Sequence, residues 1–89
     1  MPKQTLKNRL QDSGVPGDIM LGMPRVLLRG DRLALVENHQ GIIEYAREIL
    51  RIRTALGILC IHGDELTLSD MGQEDLLVGG EIRRIEYEC

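Results

Sequence analysis

The chain contains no phenylalanine and no tryptophan, and Tyr45 and Tyr87 are its only aromatic residues. This excludes an aromatic core. The interior has to be assembled from leucine, isoleucine and valine, side chains that suit the pleated, half-buried surface of a sheet. The same scarcity weighs against RNA recognition, which stacks bases on aromatic side chains. A basic excess is missing as well. Eleven Lys and Arg stand against 14 Asp and Glu, a net charge of −3, whereas nucleic-acid-binding domains usually carry a basic patch. Two cysteines, Cys60 and Cys89, do not make the disulfide framework of a small secreted domain. No apolar run is long enough to cross a bilayer as a helix, and the start has no apolar stretch of the signal-peptide kind. These absences predict a cytosolic protein without direct membrane insertion, any membrane attachment being supplied by a partner.

What is present is a rhythm of short apolar runs. The 89 residues suffice for one domain, and one of this size has a thin stability margin. Lys3 to Ser13 reads as a short amphipathic helix, with Leu6 and Leu10 on one face. Gly14, Pro16 and Gly17 end it, and Ile19 to Met23 forms an apolar connector stopped by Pro24. The expected division is therefore residues 1–23 as helix and connector, and residues 24–89 as an all-β domain. Apolar runs then follow at Arg25–Arg29, Leu33–Glu37, Ile42–Ala46, Ile49–Arg53, Ile58–His62, Leu66–Ser69, Leu76–Val78 and Ile82–Tyr87. That spacing is the one expected of a sandwich or barrel. Leu50 and Ile52 alternate with Arg51 and Arg53, and Leu66 and Leu68 with Thr67 and Ser69, a pattern that fixes register. Gly30-Asp31-Arg32, Asn38-His39-Gln40-Gly41 and Gly63-Asp64 are hairpin-sized connections. Short connections force antiparallel neighbours. The expectation is an antiparallel meander of about eight short strands, by the spacing argument, closing as a small sandwich or roll. Ile42–Arg53 also fits helical spacing, but Gly41 and Gly57 bracket it and strands are the reading kept.

Few constellations could carry chemistry. Cys60 and His62 share a strand face, yet a structural zinc site needs four ligands at recognisable spacing. A thiol nucleophile needs a third group orienting its histidine, and none is identifiable. Glu37, His39 and Glu44 cluster around one turn, where Asn38 and Gly41 are turn formers in their own right. Asp70, Glu74 and Asp75 do not match a calcium loop, and Gly79-Gly80 is not a phosphate loop. Arg51, Arg53, Arg83 and Arg84 are placed to line a sheet face, which together with the short-strand count favours a small RNA-binding barrel. Lys3, Lys7 and Arg9 make the start basic, and Asp64, Glu65, Asp70, Glu74 and Asp75 make an acidic stretch; both read as solvated surfaces.

Four segments in order carry a resemblance. They are Leu21-Gly22-Met23-Pro24-Arg25, Glu37-Asn38-His39-Gln40-Gly41-Ile42, Gly57-Ile58-Leu59-Cys60-Ile61-His62-Gly63 and Gly80-Glu81-Ile82-Arg83-Arg84-Ile85-Glu86-Tyr87. In that order the chain resembles the YabP/YqfC family of bacterial sporulation proteins, on its YqfC side, over almost its whole length. The resemblance implies a small all-β protein of the mother cell in endospore-forming bacteria, with no catalytic residue or cofactor to carry over. It also implies a membrane-anchored sporulation protein as partner. Together the residues and the resemblance predict a non-enzymatic structural or adaptor domain that binds a protein partner or itself. No metal, cofactor or nucleic acid is expected, and Glu37, Asn38 and His39 are the candidate partner contacts. A small RNA-binding barrel and a metal- or thiol-dependent enzyme are the rival readings.

Overall fold

The computed structural model describes residues 22–70 and 72–88. The helix expected at Lys3–Ser13 and the terminal Cys89 lie outside the described residues. Within them the protein is all-β. Six strands form one open antiparallel sheet: β1 (Arg25–Arg29), β2 (Leu33–Glu37), β3 (Ile42–Tyr45), β4 (Ile49–Thr54), β5 (Gly57–Asp70) and β6 (Asp75–Tyr87). Their order across the sheet is β1-β2-β6-β5-β4-β3.

The first four expected strands appear within a residue of their expected ends, and Ile42–Arg53 is a strand pair rather than a helix. The last four merge into two. Gly63-Asp64 is not a hairpin turn but part of an irregularity inside β5, where the register with β6 shifts between His62 and Gly63 and again between Asp64 and Thr67. Gly79-Gly80 plays the matching part in β6. Glycine here reads locally as a break between strands, yet both strands continue through it.

The order also departs from a simple meander. β3 to β6 follow one another as neighbours, but β2 pairs with β6 from Leu33↔Gly79 to Glu37↔Asp75. The loop after β2 therefore crosses to the far side. Hydrogen bonds hold this crossing in place: His39 N donates to Glu74 O at 3.0 Å and Gln40 N to Arg53 O at 2.7 Å.

β5 and β6 run through both halves of the sheet. In one half the β6 start lies between β2 and the β5 end; in the other the β5 start lies between β4 and the β6 end. Alternation then places Ala34 and Val36 of β2, Leu76 and Val78 of β6, Leu50 and Ile52 of β4, and Leu59 and Ile61 of β5 in one core with Leu66 and Ile82. Eight of these ten are fully shielded from solvent, so an aliphatic interior is attained without any aromatic residue. Val26, Leu68 and Ile85 pack against it from its margins.

Candidate interaction surface

The Glu37-Asn38-His39 turn is bonded inward. Asn38 adopts a left-handed conformation (φ 63°), which asparagine tolerates better than most residues. Its Nδ2 donates to Met23 O at 2.9 Å, fastening the chain just before β1 to the end of β2. The imidazole of His39 accepts the Gly41 N–H at Nδ1, 3.0 Å away. Glu37 stands 3.4 Å from Arg25 across the β1–β2 pair. Glu44, expected near His39, instead pairs with Arg51 at 3.5 Å. Glu37 and Asn38 do border a cleft of about 350 Å³ with Met23, Pro24 and Arg25, and Asn38 and His39 a smaller one of about 120 Å³ with Gly22, Gln40 and Glu74.

Cys60 and His62 lie two apart in β5 as expected. Cys60 is fully buried. His62 Nε2 lies 2.7 Å from Glu86 Oε2 on the neighbouring β6. The same carboxylate oxygen lies 3.3 Å from Arg84. Among the described residues no group of three or more His, Cys, Asp or Glu is arranged to hold a metal ion.

Of the arginines expected to line a face, Arg51, Arg83 and Arg84 stand in ion pairs. Arg83 Nε donates to Asp64 Oδ2 at 2.8 Å, and Arg83 Nη2 lies 3.3 Å from Glu81 Oε1. The hydrogen bond and charge of Asp64, with the charge of Glu81, raise the guanidinium pKa above its ordinary value. Arg47 pairs with Glu65, and Arg51 with Glu44. The acidic stretch is thus partly neutralised by arginines from elsewhere in the sheet.

The surface is unusual in its apolar residues. Among the described residues seven large hydrophobic side chains are exposed, and five of them lie on the two edge strands: Leu27 and Leu28 on β1, and Ile42, Ile43 and Tyr45 on β3. Sheet edges carry unpaired backbone groups, and natural proteins usually guard them with charge, proline or a covering loop. Two other margins are partly covered. β2 reaches β6 only as far as Gly79, beyond which Ile82 N donates to Asp31 O. β4 reaches β5 only as far as His62, beyond which Arg47 O and Glu48 O accept from Leu66 N and Gly63 N. β1 and β3 have no such cover among the described residues. A cleft of about 380 Å³ opens beside the end of β1, with Leu28 on one side and Ile82 and Ile85 on the other.

These edges were not singled out from the sequence. The signal was present in the consecutive Val26-Leu27-Leu28 and Ile42-Ile43, because adjacent residues of a strand point to opposite faces. A short strand that is apolar on both faces is either central or an exposed edge, and the sheet order decides between them.

Comparison with known proteins supports the family resemblance of these motifs. The model of the YabP family matches residues 22–89, most of the chain and all of the sheet. The chain belongs to the YabP family. It is also 26% identical over 73 residues to the uncharacterized protein YqfC of Bacillus subtilis (strain 168), covering 82% of this chain and 78% of that protein. No solved structure matches. No helix among the described residues is long and apolar enough to cross a membrane.

Proposed function

We propose that this YabP-family protein is a non-enzymatic sporulation protein, acting in the mother cell as a structural or adaptor domain through contacts made by its sheet edges. One observation carries the contact mode: among the described residues, five of the seven exposed large apolar side chains lie on β1 and β3. Exposed edges bind extended chain by strand addition, with backbone bonds giving affinity and flanking side chains giving selectivity. The sporulation setting rests on family membership. On this reading the domain lies in the cytoplasm, peripheral to a membrane where its partner is a membrane-anchored sporulation protein.

The test is a count of heat-resistant spores from strains carrying single substitutions. Leu27→Lys and Ile43→Lys each place a charge on an edge while leaving the core intact, and both are expected to lower the count. His62→Gln removes the side chain with the most evident acid–base capacity and is expected to leave it unchanged. Full spore yield from both edge variants would defeat the proposal, as would a selective loss with His62→Gln in a folded protein.

A further inference from the structure

We infer that the chain assembles head to tail with copies of itself, β1 of one copy adding to β3 of the next. This rests on the reading of the edges as contact surfaces and specifies what occupies them. The two edges are complementary rather than alike. β1 is apolar between two cations, Arg25 and Arg29; β3 is apolar around an anion, Glu44. Arg25 and Glu44 each belong to an ion pair with the next strand inward, and in both pairs the edge member is the more exposed. Arg25 is 67% accessible against 29% for Glu37, and Glu44 49% against 31% for Arg51.

Placing Glu44 of one copy opposite Arg25 of the next therefore joins two existing pairs into one row, Glu37, Arg25, Glu44, Arg51, alternating in sign across the junction. Opposite charges facing each other across strands stabilise a sheet, and like charges destabilise it. The alternatives lack this match. An antiparallel β1–β1 contact centred on Leu27 sets Arg25 against Arg29 at both of its ends. A β3–β3 contact offers Glu44 no cation from the opposing edge. The β1–β3 junction also covers Leu27, Leu28, Ile42, Ile43 and Tyr45 together. Because the two surfaces differ, the contact is heterologous: each added copy presents a fresh edge, and growth gives a ring or an open filament rather than a closed dimer.

The experiment measures the mass of the full chain by sedimentation over a wide concentration range, for the unaltered protein, Leu27→Lys, Ile43→Lys and an equimolar mixture of the two variants. Lysine is a natural blocker of sheet edges, and far-UV circular dichroism checks that each variant keeps its fold. The unaltered chain is expected to grow in mass with concentration and each variant to stay monomeric. The mixture is expected to stop at a dimer, since each variant retains one intact edge and the two intact edges are the complementary ones. A variant that dimerises alone, or a mixture that stays monomeric, overturns the head-to-tail junction. An unaltered chain that stays monomeric throughout overturns self-assembly. The spore count then separates the two ideas: edge variants that still fail in spores leave the edges to a different protein, and edge variants that succeed remove the contact reading as well.

Discussion

The bend through β5 and β6 depends on two glycines, and the consequence of filling them can be worked out. A Cβ on Gly63 would overlap the carbonyl oxygen of Glu81 and stand 3.0 Å from its carbon. A Cβ on Gly80 would lie 2.6 Å from the carbonyl oxygen of Glu65. In both cases the obstacle is backbone of the opposing strand, which cannot swing aside as a side chain can. Overpacking of this kind costs about 1–3 kcal/mol or more. Gly80 also has φ +113°, a conformation that alanine adopts only at a further cost of about 1–3 kcal/mol. Gly30 is the control, with φ +59° but open space around it, so that alanine there meets only the left-handed penalty of about 1–2 kcal/mol. A domain of this length is expected to have a total stability of about 4–13 kcal/mol. Gly63→Ala is therefore expected to remove about 3 kcal/mol and lower the melting midpoint by about 12–24 °C, with Gly80→Ala at least as severe and Gly30→Ala clearly milder. Urea unfolding followed by far-UV circular dichroism measures this in a protein without tryptophan. The reasoning fails if Gly63→Ala unfolds at the same urea concentration as the unaltered chain, or if Gly30→Ala proves the more damaging.

Substitutions at four further positions probe other parts of the fold by the same assay. Asn38→Ala gives up both the left-handed preference and the bond to Met23 O, and should cost about 2 kcal/mol; Asn38→Gly keeps the conformation and should cost about half of that, so equal losses would refute the division. Thr54 Oγ1 donates to Gly57 O at 2.7 Å and accepts from Leu56 N at 3.1 Å, closing the β4–β5 turn, so Thr54→Val should cost about 1–3 kcal/mol despite its similar shape. Leu50→Ala, at a fully buried position, should cost about 2–5 kcal/mol, whereas Ile43→Ala on the exposed edge should stay within about 0.5 kcal/mol of the unaltered chain.

The parts of the fold legible in the sequence were those set by local alternation. Leu50 and Ile52 turn inward between Arg51 and Arg53 because a strand has a period of two, and nothing distant is needed to see it. Asn38 and Gly41 likewise marked their turn, and both have positive φ. The β2–β6 pairing was not legible. It joins residues some forty positions apart through a match of faces that many strand orders would satisfy equally. Gly63 and Gly80 were misleading for a related reason: a glycine at a turn and a glycine where two backbones nearly touch look the same until the opposing strand is known. The candidate contacts Glu37, Asn38 and His39 were chosen for their polar chemistry, and the structure engages all three in bonds within the chain. That a small sheet must leave strand edges open was foreseeable; which strands form them was not, because apolar residues were assigned to the core by type.

That assignment bears on function. Core membership accounts for Val36, Leu50 or Ile61, whose burial stabilises the fold. It does not account for Leu28, which remains 57% exposed, or for Ile42, Ile43 and Tyr45 at about two-fifths to one-half exposure. An edge strand with such residues is a standing risk of unspecific pairing, and the usual remedy is a central charge. Here β1 carries its charges at its two ends, leaving Val26-Leu27-Leu28 uninterrupted, and β3 opens with Ile42-Ile43. The charges therefore do little to prevent strand addition but do discriminate among the strands that add. Under the proposed function, edges of opposite sign on a single sheet would select partners by charge while apolar contact supplies the affinity.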